Sequence, residues 1–289
     1  MAANKTSAIA DQEPVDILFA LQPGFDMLDF AGPLAAFHKA QHDPADSSTR
    51  AFEVTLAGLE PQVLSAQGTI VQSQITFREA HERLEEFDVL VILGGNVDEV
   101  VKKETEPLGL ITAFSDLQKK DPARERTVLS VSTGSHLLAR EGILCGLSAT
   151  TLSDHLTTFE NLCSDAATRY LTERTDVIED ARYVVNNLRF ELTEDESPYT
   201  RRASDAGRPH GRKGSISFKE SNTRRESIAR RAAMRLGGLR VITAGAHGAG
   251  VDAALYLVSA LVDEQCAEEA ARSMQWNWTK GVVVDGLDV

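Results

Sequence analysis

The stretch T-V-L-S-V-S-T-G-S-H-L-L-A-R-E, residues 127 to 141, passes from a strand pattern into a helix pattern without a connecting loop. Thr127–Val131 is strand-like, and His136–Glu141 is helical in pattern. Such a junction holds Ser132 on a tight turn at a helix N-terminus, where unpaired N–H groups and the helix dipole favour negative charge. This is the geometry of a nucleophile elbow, although a serine that only caps the helix gives the same pattern.

The same alternation of strand and helix patterns extends in both directions from this junction. Strands are predicted at 15–21, 52–57, 88–93, 183–186 and 239–243, helices from about 30 to 40 and at 108–119, 249–261 and 264–274, and a hairpin at 62–71. Strands alternating with helices of this length predict an α/β fold with a mostly parallel sheet flanked by helices. In such sheets ligands bind beyond the carboxyl ends of the strands.

That rule selects four turns, Pro23–Asp29, Gly94–Val97, Ser132–Gly134 and Gly245–Gly250. Asp29 lies between apolar neighbours, and a carboxyl group in an apolar pocket has a raised pKa and can exchange protons. It could equally be the N-cap of the helix that follows.

Glycines and a histidine occupy the other turns. The amides of Gly94 and Gly95 can approach a ligand and form half of an oxyanion nest, or they can form an ordinary turn. Gly134 and Gly245 lie in turns of the same kind. His247 is a candidate base or hydrogen-bond donor, and the alternative is a loop histidine without a special role.

Composition narrows the classes of function. The chain has 289 residues, with 30 basic and 43 acidic side chains and a net charge of −13, which disfavours nucleic acid as a partner. No apolar run is long enough for a membrane span, and the N-terminus does not read as a secretory signal. Three separated cysteines argue against a disulfide framework or a zinc site, so we expect a cytoplasmic protein. The sequence has no P-loop or dinucleotide fingerprint, and we expect neither a metal nor a cofactor.

One segment differs from the rest in charge. Residues 197 to 240 contain 12 Lys or Arg against 3 Asp or Glu and few apolar residues in their first half. We predict a disordered basic insertion at 196–230 within an α/β domain at 15–275, with helix possible from Ser227 to Leu236. Residues 1–14 are predicted to be a disordered N-terminus and 276–289 a C-terminal tail. Ser204, Ser215 and Ser227 each follow basic residues, as basophilic kinases prefer, although a solvated loop explains the same charges.

Four motifs together resemble the ThiJ/PfpI superfamily. They are P-G-F-D-M-L-D-F-A-G-P from residue 23, V-L-V-I-L-G-G from 89, L-S-V-S-T-G-S-H-L-L-A-R-E-G-I-L-C-G-L-S-A-T-T from 129 and T-A-G-A-H-G-A-G-V-D-A-A-L-Y-L-V from 243. The resemblance implies the flavodoxin-like, class I glutamine amidotransferase-like fold and commonly a homodimer. The motifs are most similar to the isonitrile hydratase branch.

In that branch the elbow reads V-C-T-G-S, and the cysteine thiolate attacks the isonitrile carbon. The resemblance places Ser132 at the cysteine position, Thr133 at the following threonine and Asp29 at the aspartate that assists proton transfer. The histidine of the A-T-T-H-W segment is replaced by Leu152, with His155 three residues further on, and His247 stands where an apolar side chain is usual.

Three functions are consistent with these residues. The first is an isonitrile-hydratase-like enzyme without a cysteine nucleophile. Asp29 and His247 would carry protons, and Ser132, Thr133, Gly94, Gly95, Gly134 and Gly245 would surround a small, specialised metabolite during hydration, lyase or cyclisation chemistry. The second is a hydrolase with Ser132 as nucleophile, activated by His247 or His155. The third is a member without catalysis that binds a metabolite or a partner.

Overall fold

The computed structural model describes residues 13–43, 46, 49–189 and 218–285. The predicted N-terminus at 1–12 and the insertion residues up to 217, including Ser204 and Ser215, lie outside the described residues. The strands are β1 (Val15–Leu21), β2 (Phe52–Gly58), β3 (Gln62–Leu64), β4 (Ile70–Gln72), β5 (Ile75–Thr76), β6 (Val89–Ile92), β7 (Thr127–Val131), β8 (Ser148–Ala149), β9 (Asp176–Val177), β10 (Tyr183–Asn187), β11 (Arg240–Ala244) and β12 (Val282–Asp285).

The helices are α1 (Met27–Lys39), α2 (Phe77–Glu82), α3 (Val97–Lys103), α4 (Leu108–Lys120), α5 (Ser135–Arg140), α6 (Leu156–Tyr170), α7 (Phe218–Ala233), α8 (His247–Leu261) and α9 (Glu264–Ser273). Eight strands form one sheet in the order β12-β10-β11-β7-β6-β1-β2-β5, and every neighbouring pair is parallel except β10 and β11. The run β2-β1-β6-β7-β11 has the 2-1-3-4-5 order of flavodoxin-like folds. The predicted α/β fold, with a mostly parallel sheet between helices, is confirmed.

The sheet is buried on both faces, which explains the uninterrupted apolar strands. In β1, Phe19 belongs to the core shared with α1, α8 and α9, and its neighbour Leu18 belongs to the core on the opposite face, shared with α2 to α6. Successive side chains of a strand point to opposite faces, so a strand covered on both sides needs apolar residues at each position. The predicted hairpin is present as the antiparallel pair β3–β4.

Small residues bring α1 and α8 close together over one face. A Cβ on Gly32 of α1 would lie 2.8 Å from Val251 of α8, and one on Gly250 would lie 2.7 Å from Val131. A larger side chain at Gly32 would push α1 away from α8, and one at Gly250 would push α8 away from β7. The N-termini of α1 and α8 therefore meet above the carboxyl ends of the central strands.

Two predicted boundaries need correction. Helix α7 begins at Phe218, inside the segment predicted as the 196–230 insertion, because its C-terminal half buries side chains such as Arg231 against the domain. The predicted tail at 276–289 contains β12, which pairs in parallel with β10, so the sheet extends beyond residue 275. In the part of the chain described here, no helix has both the length and the apolar character needed to cross a bilayer.

Candidate active site

Ser132 lies at the apex of the turn between β7 and α5. Its φ is 55°, an uncommon conformation for a residue with a side chain, and a short 3-10 turn leads from it to the start of α5 at Ser135. No side chain caps this helix. The alternative in which Ser132 is only an N-cap is therefore wrong, and the chain has the elbow geometry. The carbonyl of Ser132 accepts hydrogen bonds from Ser135 Oγ at 3.0 Å and from Thr151 Oγ1 at 3.2 Å. The hydroxyl of Ser132 makes no hydrogen bond within the described residues.

Asp29 lies in the first turn of α1 and is fully buried, with 0% of its surface exposed. The helix begins at Met27, earlier than predicted, because Asp26 caps it. Oδ1 of Asp26 accepts hydrogen bonds from the amides of Leu28 at 2.8 Å and Asp29 at 3.2 Å. The alternative in which Asp29 is the N-cap is wrong, and its carboxylate is available for other contacts. Sequence reasoning missed Asp26, although the spacing D-M-L-D held the signal.

The turn after β6 connects Asp29 to the elbow. The amide of Gly94 donates to Asp29 Oδ2 at 3.2 Å, and the amide of Gly95 donates to Thr133 Oγ1 at 3.1 Å. A Cβ on Gly94 would lie 2.6 Å from Asp29 Oδ2, 2.9 Å from Thr133 Oγ1 and 3.0 Å from Ser132 Cβ. Three predicted site residues therefore converge at Gly94. The sequence suggested that these glycine amides donate to a ligand. In the structure they donate to Asp29 and Thr133 and so position those two side chains.

His247, the first residue of α8, completes the group. Its Nδ1 lies 2.6 Å from Asp29 Oδ1 and 3.4 Å from Asp26 Oδ1. A carboxylate can only accept, so Nδ1 carries the proton in this hydrogen bond. The His247 side chain is 39% exposed, and Nε2 makes no hydrogen bond within the described residues. The arrangement leaves Nε2 as a basic nitrogen with a buried carboxylate behind the ring.

Burial and charge shift both pKa values of the pair. Burial raises the pKa of Asp29 to about 6, although the hydrogen bonds from His247 and Gly94 oppose the rise. Burial lowers the pKa of His247, but the hydrogen bond to Asp29 and the nearby carboxylates outweigh it, so the net pKa is raised. Both pKa values are raised, and the shift brings Asp29 closer to neutral pH, which suits general acid–base chemistry.

The three side chains Asp26, Asp29 and His247 also fit the donor set of a divalent cation. Their potential ligand atoms lie within 4.8 Å of one another. In this geometry each already has a hydrogen-bonding partner, because Asp26 Oδ2 accepts from Gln67 Nε2 at 2.5 Å while Oδ1 caps α1. A cation would have to displace the hydrogen bond between His247 and Asp29.

Two other predicted residues have backbone roles in this structure. The amide of Gly245 donates to the carbonyl of Arg182 at 2.9 Å. A Cβ on Gly134 would lie 2.6 Å from the carbonyl of Ile92, so glycine there lets the elbow approach β6. His155 packs edge-on against His136, with ring centroids 5.7 Å apart. In the described chain, no hydrogen bond joins His155 to Ser132 or Asp29.

Trp276 and Arg182 lie next to Gly248, the residue after His247, and neither was predicted from the sequence. A Cβ on Gly248 would lie 3.4 Å from the Trp276 ring and 3.5 Å from Arg182 Nη2. Both side chains are held by Asp252, which is fully buried and accepts from Trp276 Nε1 at 2.8 Å and Arg182 Nε at 2.8 Å. The interpretation of residues 276–289 as a tail hid this contact.

The fold and the elbow define a class of flavodoxin-like proteins with a candidate site at the carboxyl ends of the strands. The model of the DJ-1/PfpI family matches residues 15–187. The chain belongs to the DJ-1/PfpI family.

Solved structures support the fold at low sequence identity. Drosophila melanogaster DJ-1beta is 14% identical, with a TM-score of 0.56 over 92% of this chain and 100% of that chain. An AraC family transcriptional regulator from Pseudomonas putida is 15% identical, with a TM-score of 0.54 over 90% of this chain and 100% of that one. A ThiJ/PfpI family protein from Pseudomonas syringae is 17% identical, with a TM-score of 0.51 over 93% and 78%. No curated protein matches the chain in sequence.

Proposed function

We propose that this chain is an isonitrile-hydratase-like enzyme that adds water to a small, specialised metabolite, or removes it, without a cysteine nucleophile. The observation that carries the proposal is the 2.6 Å contact between His247 Nδ1 and Asp29 Oδ1 beside the elbow. A histidine oriented by a buried carboxylate is an arrangement for moving a proton at the second ring nitrogen.

In the hydration direction, His247 Nε2 takes a proton from water as the water oxygen bonds to the unsaturated carbon. The proton then goes to the substrate, so that one O–H bond and one π bond of the substrate break while one C–O bond and one C–H bond form. With an isonitrile this gives an imidic acid, and transfer of its O–H proton to nitrogen yields the formamide. The carboxylate of Asp29 stabilises the imidazolium in between, since the two charges are in direct contact and the carboxylate is fully buried. Ser132 and Thr133 are polar contacts at the elbow for the substrate.

Little in the geometry favours Ser132 as a nucleophile. A serine hydroxyl needs an adjacent base to become reactive. Within the described residues the hydroxyl of Ser132 has no hydrogen-bonded base, and Nε2 of His247, the nitrogen that would activate it, makes no hydrogen bond. We therefore assign Ser132 to substrate binding.

The test is turnover of a panel of alkyl and aryl isonitriles, with the formamide products measured by mass spectrometry. We expect Asp29→Asn and His247→Gln to lower kcat by about 10²- to 10⁴-fold, the range for loss of a general acid–base group. Ser132→Ala should lower kcat/KM by less than about tenfold, the size of one neutral hydrogen bond. His38→Gln, which changes an exposed histidine on the same helix as Asp29, is the matched control and should keep wild-type turnover.

The alternatives give different results in the same assays. Labelling of Ser132 by a fluorophosphonate, together with a loss above about 10³-fold in Ser132→Ala, would indicate the serine hydrolase. If the wild type turns over no isonitrile, and deletion of its gene leaves the metabolites of the host unchanged, the protein is a binding member of the family and the enzymatic proposal fails.

A further inference from the structure

The opposite edge of the sheet carries a group of buried arginines, which we call the arginine cluster: Arg189, Arg231 and Arg240. Arg189 lies two residues after the end of β10, Arg240 begins β11, and Arg231 lies on α7. Because β10 is antiparallel to β11, the end of β10 and the start of β11 meet at the amino-terminal edge of the parallel strands. The Asp29 site lies at the carboxyl edge, so the two sites are separate.

One carboxylate serves the whole cluster. Oε2 of Glu125 accepts from Arg189 Nη1 at 2.5 Å, and Oε1 accepts from Arg231 Nη1 at 3.1 Å. Burial lowers the pKa of Arg189, and the positive charge of Arg240 lowers it further. Burial raises the pKa of Glu125, but the three arginines, Arg240 among them, outweigh it and lower that pKa. Three guanidinium groups against one carboxylate leave a local charge of about +2, since arginine stays protonated in proteins.

The arginines are buried and only partly satisfied. Their side chains are at most 8% exposed where they pair with Glu125, and Arg240 is 2% exposed as a residue. Among the residues that the structure describes, five of their nitrogens are buried without a hydrogen bond: Nε and Nη2 of Arg189, Nε of Arg231, and Nε and Nη1 of Arg240. Burying a charged donor without a partner is costly, so this combination indicates a missing acceptor with negative charge.

The surrounding backbone is built around these side chains. Gly238, with φ of 80°, leaves space for the stem of Arg231, and a Cβ there would lie 2.5 Å from Arg231 Cδ. Gln118 links the adjoining turns, because its Nε2 donates to the carbonyl of Gly237 at 2.9 Å and its Oε1 accepts from the amide of Arg126 at 3.0 Å.

We propose that the arginine cluster binds a phosphoryl dianion, either inorganic phosphate or the phosphate monoester group of a metabolite, in place of the Glu125 carboxylate. Glu125 is 49% exposed and can swing into solvent, whereas the arginines are fixed. Its carboxylate already bridges two guanidinium groups, as two oxygens of a phosphoryl group would. A phosphoryl dianion adds a third acceptor oxygen for the unpaired nitrogens, and its two negative charges offset more of the charge of the three guanidinium groups than the single charge of Glu125 does.

The test is isothermal titration calorimetry of the full chain with inorganic phosphate and with glycerol phosphate at pH 8 and constant ionic strength. Arg231→Gln should weaken phosphate binding by about 10- to 100-fold, the range for a hydrogen bond to a charged group. Glu125→Gln should strengthen it by about tenfold, because the competing carboxylate is removed. Because one substitution should weaken phosphate binding and the other should strengthen it, the pair of variants separates a binding role from a general loss of folding. Arg78→Gln, at an exposed arginine on α2, is the control and should bind like wild type.

The two ligands separate the two sources of the phosphoryl group. Equal affinity for both supports free phosphate, and tighter binding of glycerol phosphate supports a monoester. Absence of binding by wild type, or equal binding by Arg231→Gln and wild type, would overturn the proposal. A further variant changes the acidic residues that follow Arg189 to amides (Glu191, Glu194, Asp195 and Glu196). If phosphate binds only to that variant, the carboxylates of this segment are the acceptors for the arginine cluster, and the proposal is overturned.

Discussion

Replacement of Asp29 by asparagine should change how the stability of the fold depends on pH. Burial raises the pKa of Asp29 to about 6 from an ordinary value of 3.8. A carboxyl group that binds its proton more tightly in the folded state stabilises the fold at low pH. That contribution is lost as the pH rises from about 4 to about 6. The raised pKa of His247 acts in the same direction, because its contribution is present below the unfolded value of 6.5 and is lost as the pH rises through the folded value.

The size of the effect follows from the shift. One pKa unit corresponds to about 1.4 kcal/mol, so the shift of Asp29 amounts to about 3 kcal/mol between pH 4 and pH 8. Asparagine has nearly the same shape and does not titrate, and it also removes the carboxylate that raises the pKa of His247. We therefore expect wild type to lose about 3 kcal/mol of stability relative to Asp29→Asn over this range.

The measurement is urea unfolding at several pH values, followed by the fluorescence of Trp276 and Trp278. Asp98→Asn, at an exposed carboxylate on α3, removes the same charge from the surface and should stay within about 0.5 kcal/mol of wild type throughout. If the curves of wild type and Asp29→Asn run parallel from pH 4 to pH 8, the buried carboxyl has no raised pKa. The proton-transfer role of the pair would then have no physical basis.

Three further predictions follow from contacts in the structure. Gly94→Ala should destabilise the fold by about 1–3 kcal/mol and abolish turnover, because its Cβ would collide with Asp29. The control is Gly68→Ala, whose Cβ meets nothing within 4 Å and which should keep turnover in the same assay. Asp252→Ala should cost about 1–3 kcal/mol in urea unfolding, because Trp276 Nε1 and the amide of Thr279 lose their acceptor while Arg182, 39% exposed, is left to solvent; a change below about 0.5 kcal/mol would contradict this. The thiols of Cys145, Cys163 and Cys266 should react with Ellman's reagent only after unfolding, since all three are buried. Burial also raises the pKa values of Cys163 and Cys266 to about 11. A thiol that reacts within minutes in the native protein would refute this.

The central sheet was predictable from the sequence for a physical reason. Strands covered on both faces are continuous apolar runs, as in Val89–Ile92, and the direct passage from strand to helix at Ser132 marks the elbow. The short strand β12 was not predictable, because three valines near the end of the chain have no local partner and are fixed only by pairing with β10.

The candidate site was predictable residue by residue, but the contacts between those residues were not. Asp29 and His247 are 218 positions apart, and their contact depends on how closely α1 and α8 pack. The start of α1 was misplaced because two aspartates compete for the cap, and only the fold selects Asp26. The arginine cluster was hidden for a similar reason, since its members come from separate elements and Arg231 directly follows the segment predicted to be a disordered insertion.

The backbone at residue 132 restricts any attempt to make this protein more stable. With φ of 55°, every residue that has a β-carbon is strained by about 1–2 kcal/mol, and glycine is not. A search for thermal tolerance would therefore select Ser132→Gly and remove the hydroxyl from the apex of the elbow. At this position thermal stability favours glycine, whereas a polar contact at the elbow requires the serine hydroxyl.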